Sequence, residues 1–86
     1  MSRTPTIEFD QEVAREFMEQ QALRLTDLQR LTKEADEEGK GISTALLSEL
    51  LSGTRTQTSL RTVRLVAKAL GVRRPLILVK HPAEVA

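Results

Sequence analysis

Apolar residues recur at helical spacing in several stretches of this chain. Phe9, Val13 and Phe17 repeat every fourth residue, with Ala14 and Met18 beside them, while Glu12, Glu16 and Glu19 take the opposite side. That spacing predicts a first amphipathic helix from Asp10. Leu28, Leu31 and Ala35 form a narrower second stripe. Thr26-Asp27-Leu28-Gln29 at its head has capping-box form, a hydroxyl residue with Glu or Gln three positions later, so the second helix is expected to start at Thr26. Asp36-Glu37-Glu38-Gly39-Lys40-Gly41 ends it. Acids at a helix C-terminus oppose the helix dipole, so the last turn is expected to fray.

The third helix carries the most information. Ser43 is a good N-cap and Gly53 a good C-terminal stop. At roughly 100° per residue, Ile42, Leu46, Leu50, Leu47 and Leu51 cover about half the circumference. Thr44, Ser48, Ser52, Ala45 and Glu49 fill the other half. A surface helix usually turns long charged chains outward. This outer face is trimmed, as a helix that approaches base edges closely must be. A short helix buried between neighbours would show the same trimming.

A fourth helix is expected from Thr58 or Ser59, burying Leu60, Val63, Val66, Ala67 and Leu70 and stopping at Gly71. Arg61, Arg64 and Lys68 make one basic edge on it. Arg73-Arg74-Pro75 breaks the pattern. Leu76-Ile77-Leu78-Val79 is then read as an extended segment that packs on the core or pairs with another chain. The fold class expected is all-α, a small bundle of four to five helices with a short extended C-terminal segment. Residues 1–6 are read as a flexible arm, 7–72 as the helical domain, and 73–86 as a C-terminal segment able to dimerise.

Composition narrows the chemistry. The chain has 86 residues, no cysteine and a single histidine, His81. Disulfides and Cys/His zinc sites are excluded, no cofactor is expected, and His81-Pro82 is read as an inert tail. Met1 to Thr6 lead into no apolar run and no stretch is long enough to span a bilayer. A soluble, cytoplasmic protein without a membrane partner is expected. Net charge is +1, but it is unevenly spread. Six basic and ten acidic residues give residues 1–40 a net −4; seven and two give 41–86 a net +5. The split fits either a polyanion held by the basic half or attraction between halves of one fold. The acidic run 36–38 suits a magnesium or partner site less well than a solvated turn. The aromatic residues, Phe9 and Phe17, lie in the first helical pattern. None remains to stack on bases, which argues against single-stranded or RNA ligands. No nucleophile elbow, HExxH motif or phosphate loop is present, so an enzyme is not expected.

Three pieces in order carry a resemblance to a known family. They are Gly41-Ile42-Ser43, then Leu50-Leu51-Ser52-Gly53-Thr54-Arg55, then Ser59-Leu60-Arg61-Thr62-Val63 followed by Ala67-Lys68-Ala69-Leu70-Gly71-Val72. Together they resemble the Xre-type helix-turn-helix family of phage repressors, Cro proteins and many antitoxins. The likeness departs where the stretch between Ala35 and Ile42 exceeds the family's short turn, and where Leu51 stands for a frequent glutamate. It implies a lambda-repressor-like helix-turn-helix with a recognition helix near 43–52. By that pattern Thr44, Ala45, Ser48 and Glu49 contact bases, and Ser52, Thr54, Arg55 and Thr56 lie along phosphates. Thr26, at the start of the second helix, and Arg61 are further phosphate candidates. The implied function is sequence-specific binding of double-stranded DNA by a transcriptional regulator, a repressor or Cro-like, acting as a homodimer through Leu76, Ile77, Leu78 and Val79. The alternatives are an antitoxin that binds DNA and a protein toxin, or an interaction module without DNA binding.

Overall fold

A computed structural model describes residues 6–80. Its elements are β1 (Thr6–Glu8), α1 (Gln11–Gln20), α2 (Leu25–Ala35), α3 (Thr44–Ser52), β2 (Gln57–Ser59), α4 (Leu60–Leu70) and a 3-10 turn over Pro75–Leu78. The arm read over residues 1–6 falls outside the described residues except for Thr6, which begins β1. His81 and Pro82 also lie outside them.

Local chemistry sets most helix limits. Asp10 caps α1, its carboxylate accepting from the Val13 amide at 3.3 Å. Ser43 caps α3 by accepting from the Leu46 amide at 3.2 Å. Ser59 caps α4 by accepting from the Thr62 amide at 3.3 Å. Gly53 and Gly71 end α3 and α4 in the left-handed conformation. The start of α2 differs from expectation. Arg24 is the cap residue, and Asp27 reaches back to accept from its amide at 2.9 Å. Asp27 therefore fills the N3 acid position expected of Gln29, and Thr26 is already inside the first turn.

Leu28, Leu47, Leu50, Val63, Val66 and Leu78 are the fully buried centre of one core. That core draws on every helix: α2 packs on α4, and α3 packs on both α1 and α2. Burying a leucine side chain contributes roughly 1.5–3 kcal/mol, so the leucine stripes on α2, α3 and α4 are the main force assembling the bundle. Leu60, expected in the buried stripe of α4, is exposed instead, while Leu65 and Thr62 are buried.

The N-terminal stretch forms structure that the helical pattern did not reveal. β1 pairs antiparallel with β2, Ile7 facing Thr58. Phe9, read as the first residue of a helical stripe, instead precedes the cap. It bridges to Val79 and donates its amide to the Thr56 carbonyl at 2.8 Å. The Asp10 amide donates to the Leu78 carbonyl at 2.7 Å, and the Lys80 amide to the Glu8 carbonyl at 2.9 Å. Residues 6–10 are thus held between β2 and the C-terminal turn.

The connection between α2 and α3 is ordered by side chains. Thr32, fully buried, accepts the Ile42 amide at 3.1 Å and donates to the Gln29 carbonyl at 2.8 Å. Asp36 accepts from the amides of Glu38, Lys40 and Gly41 at 3.0, 3.1 and 2.9 Å, and from Arg61 Nη2 at 3.0 Å. The expected fraying of α2 is replaced by this knot, in which Asp36 is the C-cap. Gly41 has φ +67°, and a β-carbon there would lie 2.7 Å from the Lys33 Cα, so the close crossing of the loop over α2 requires glycine.

Candidate nucleic-acid interface

The amphipathic pattern of α3 dictates what it presents. Leu47 and Leu50 are buried, Leu46 and Leu51 are half-buried against the core, and Thr44, Ala45, Ser48 and Ser52 are exposed. The fully exposed residues of the outer arc therefore offer hydroxyls and one small apolar side chain, with the half-exposed Glu49 beside them. Such an arc can meet donors, acceptors or a thymine methyl on base edges without holding the helix away from them.

The exit from α3 is tightly built. Gly53 has φ +87°, and a β-carbon there would lie 2.7 Å from Gln11 Oε1 of α1. Ser52 Oγ and Thr54 Oγ1 are 3.0 Å apart. The Arg55 amide donates to the Glu49 carbonyl at 3.0 Å, and Arg55 Nε donates to Glu49 Oε1 at 3.1 Å. A candidate base reader and a candidate phosphate contact are thus paired with each other. Both side chains are about half exposed, so the pair adds little stability. Its consequence is positional: Glu49 holds Arg55 back against the end of α3. Thr54 and Thr56 are exposed beside it.

The start of α2 lies next to the same face. Leu25, Ser48, Leu51, Ser52 and Arg15 line one shallow depression, so the first residue of α2 is beside the outer face of α3; Thr26, next in the chain, is exposed. Arg15 was not singled out in the sequence, because it stands on α1 among Glu12, Glu16 and Glu19. No sequence signal marks it, because its place beside α3 comes from the packing of α1 on α3.

Arg61 does not join this group. Its guanidinium is drawn to Asp36, whose side chain is only 7% exposed. Hydrogen bonds from Gly41 and Glu38, helped by the nearby Arg61 charge, hold the Asp36 carboxyl below its ordinary value. Arg61, Arg64, Lys68 and Arg73 form one wall of a groove of about 610 Å³, with Asp36, Glu37 and Glu38 on the other. Among the described residues no group of acids or histidine is arranged to hold a metal ion. Asp36 is spent on the turn.

The C-terminal apolar run is divided. Leu78 and Val79 are buried in the core of the same chain, while Leu76 and Ile77 are 58% and 45% exposed. Two of the four residues expected to dimerise are therefore consumed by the fold, and the segment is a 3-10 turn rather than extended. Pro75 fixes the first residue of that turn, and the bridge between Val79 and Phe9 closes it.

No helix among the described residues is long and apolar enough to cross a membrane. Family models, curated proteins and solved structures yielded no match to this chain.

Proposed function

We propose that this chain is a sequence-specific regulator that binds double-stranded DNA, with α3 laid in the major groove. The observation that carries the reading is the exposed arc of Thr44, Ala45, Ser48 and Ser52 on a helix otherwise fixed by buried leucines. Around that arc stand the head of α2 and the cations Arg15 and Arg55. The resemblance of residues 41–72 to Xre-type proteins agrees with the same placement.

In this reading Thr44, Ala45 and Ser48 meet base edges. Thr26 and the free amides at the start of α2 hold one phosphate. Ser52, Thr54, Arg55 and Thr56 follow a phosphate strand and fix register without reading sequence. Arg55 occupies only Oε1 of Glu49, so Glu49 accepts from a cytosine amino group through Oε2 while Arg55 turns to phosphate. Arg61 stays with Asp36 and supports the lead-in to α3. One short reading helix offers few specific bonds. Two copies on paired half-sites double them.

The test is a binding titration with labelled duplex DNA at several salt concentrations. Contacts from Arg15 and Arg55 release counterions, so log affinity falls linearly with log salt, by a slope of about −0.9 per phosphate neutralised. Binding that is absent at low salt, or indifferent to salt, removes the reading and favours a protein-interaction module.

A further inference from the structure

We propose that the groove between the α2–α3 connection and α4 binds a short apolar peptide with free termini, its ammonium against the connection and its carboxylate against α4. None of the residues that line the groove is among those proposed above to meet DNA, so the site stands apart from that reading.

The base of the groove is apolar. Leu65, Ala67 and Val72 reach it from the buried core, and Leu60 and Pro75 line it beside them. Its volume of about 610 Å³ lies within the range of small-ligand pockets, roughly 300–1,000 Å³. Such pockets join an apolar lining to a few polar groups that fix orientation.

The polar groups here stand on two walls of opposite charge. Glu37 and Glu38 are exposed on the connection. Arg64 and Lys68, neighbours at i,i+4, are exposed on α4, and Arg73 is exposed just after it. Asp36 and Arg61 also line the groove, but they are committed to each other at 3.0 Å. Among the described residues Glu37, Arg64, Lys68 and Arg73 form no ion pair, and Glu38 meets only the exposed Lys40 at 3.4 Å.

This arrangement selects the occupant. A nucleic acid laid in the groove would meet Glu37 and Glu38, and a polycation would meet Arg64, Lys68 and Arg73. A neutral apolar ligand would leave both walls unused. A zwitterion with an apolar body suits both walls and the base together, and the unlike walls give it one direction. Helix rise sets its length. Arg61 touches the connection through Asp36, and Lys68 lies two turns further along α4, roughly 10 Å at about 1.5 Å per residue. A single amino acid holds both charges on one α-carbon and is too short for that span. An extended peptide covers about 3.3–3.6 Å per residue, so two to four residues reach from one wall to the other.

The experiment titrates the full, isotopically labelled chain with alanyl-leucyl-alanine and with its two- and four-residue counterparts, followed by the amide resonances. At least one length should bind saturably and shift the signals of Leu65, Ala67 and Val72. Acetylating the peptide's N-terminus, or amidating its C-terminus, should each weaken binding by about fivefold, the upper reach of an exposed ion pair. Neutralising the walls should reproduce these losses one by one. Glu37→Gln with Glu38→Gln should make acetylation indifferent, and Arg64→Gln with Lys68→Gln should make amidation indifferent. No saturable binding at any of the three lengths, or blocked peptides that bind as tightly as free ones, would overturn the proposal. So would a terminal effect that survives neutralisation of its wall, or shifts confined to other elements. If circular dichroism shows a variant unfolded, the blocked peptides on the wild type still decide the matter. A chain that binds the peptide but no DNA keeps this site and loses the DNA reading. A chain that binds DNA but no peptide does the reverse.

Discussion

Arg55 is bound twice to Glu49, amide to carbonyl at 3.0 Å and guanidinium to carboxylate at 3.1 Å. The second contact joins the outer face of α3 to the residue that follows its C-terminal turn, the one proposed to meet a phosphate strand. In the proposed reading Arg55 reaches DNA in exchange for this intramolecular contact.

Removing the partner should therefore favour DNA. Glu49→Ala should lose preference for cytosine at one position and strengthen binding to duplexes without it, by freeing Arg55 and deleting a negative charge near the phosphates. Arg55→Ala should weaken all duplexes about equally and lower the salt slope by about 1. Neither should shift folding stability by more than about 0.5 kcal/mol, since the pair is exposed. Binding titrations of both variants and of the double variant decide it. Equal effects of Glu49→Ala with and without Arg55 would show that the pair is irrelevant to binding.

Asp36 predicts an acid dependence of stability. Its folded-state carboxyl lies below the ordinary 3.8, so its contribution is fully present above that value. It is lost as pH falls below 3.8 through the lower folded value. Asp36→Ala should melt earlier than the wild type at neutral pH, and the gap should shrink as pH drops below 3.8. Thermal melts of both proteins across the acid range measure it, and a constant gap would contradict it.

The connection to α3 should depend on one buried hydroxyl. Thr32→Val keeps shape but leaves the Ile42 amide without its acceptor. The expected loss is about 1–3 kcal/mol, the cost of a buried unsatisfied amide. Denaturant unfolding checks the magnitude. An unchanged midpoint would mean that the Ile42 amide finds another partner.

The division of the C-terminal run is directly testable. Leu78→Ala opens the core and should cost about 2–5 kcal/mol. Ile77→Ser, on the exposed side, should shift stability by no more than about 0.5 kcal/mol. Denaturant melts that rank the two in the opposite order would contradict the placement of the turn.

What was legible in the sequence was what is decided locally. Ser43 and Gly53 bound α3 through their own caps, and the leucines between them needed only helical period to show which side is buried. The same holds for Ser59 and Gly71 on α4. The start of α2 was misread because both Asp27 and Gln29 suit an N3 position, and the choice depends on which backbone amide is near. β1 and β2 are too short to show alternation, and the partners Ile7 and Thr58 are far apart in the chain. Leu76 to Val79 looked like one apolar run because burial within a chain and burial between chains use the same residues. Within the candidate interface, the trimmed face of α3 was visible from residue size alone. Arg15 and the Glu49–Arg55 pair were not, since both arise from how elements meet.

The central claim, that the outward face of α3 reads duplex DNA, is tested most directly by selection from randomised duplexes. The wild type should enrich one motif. Ser48→Ala and Thr44→Val should fold normally and change preference at one or two base pairs each, by about 1–3 kcal/mol where the lost contact was good. Arg55→Ala should enrich the wild-type motif more weakly. If no motif is enriched, or if the Ser48 and Thr44 variants select the wild-type motif unchanged, then this face of α3 does not read DNA.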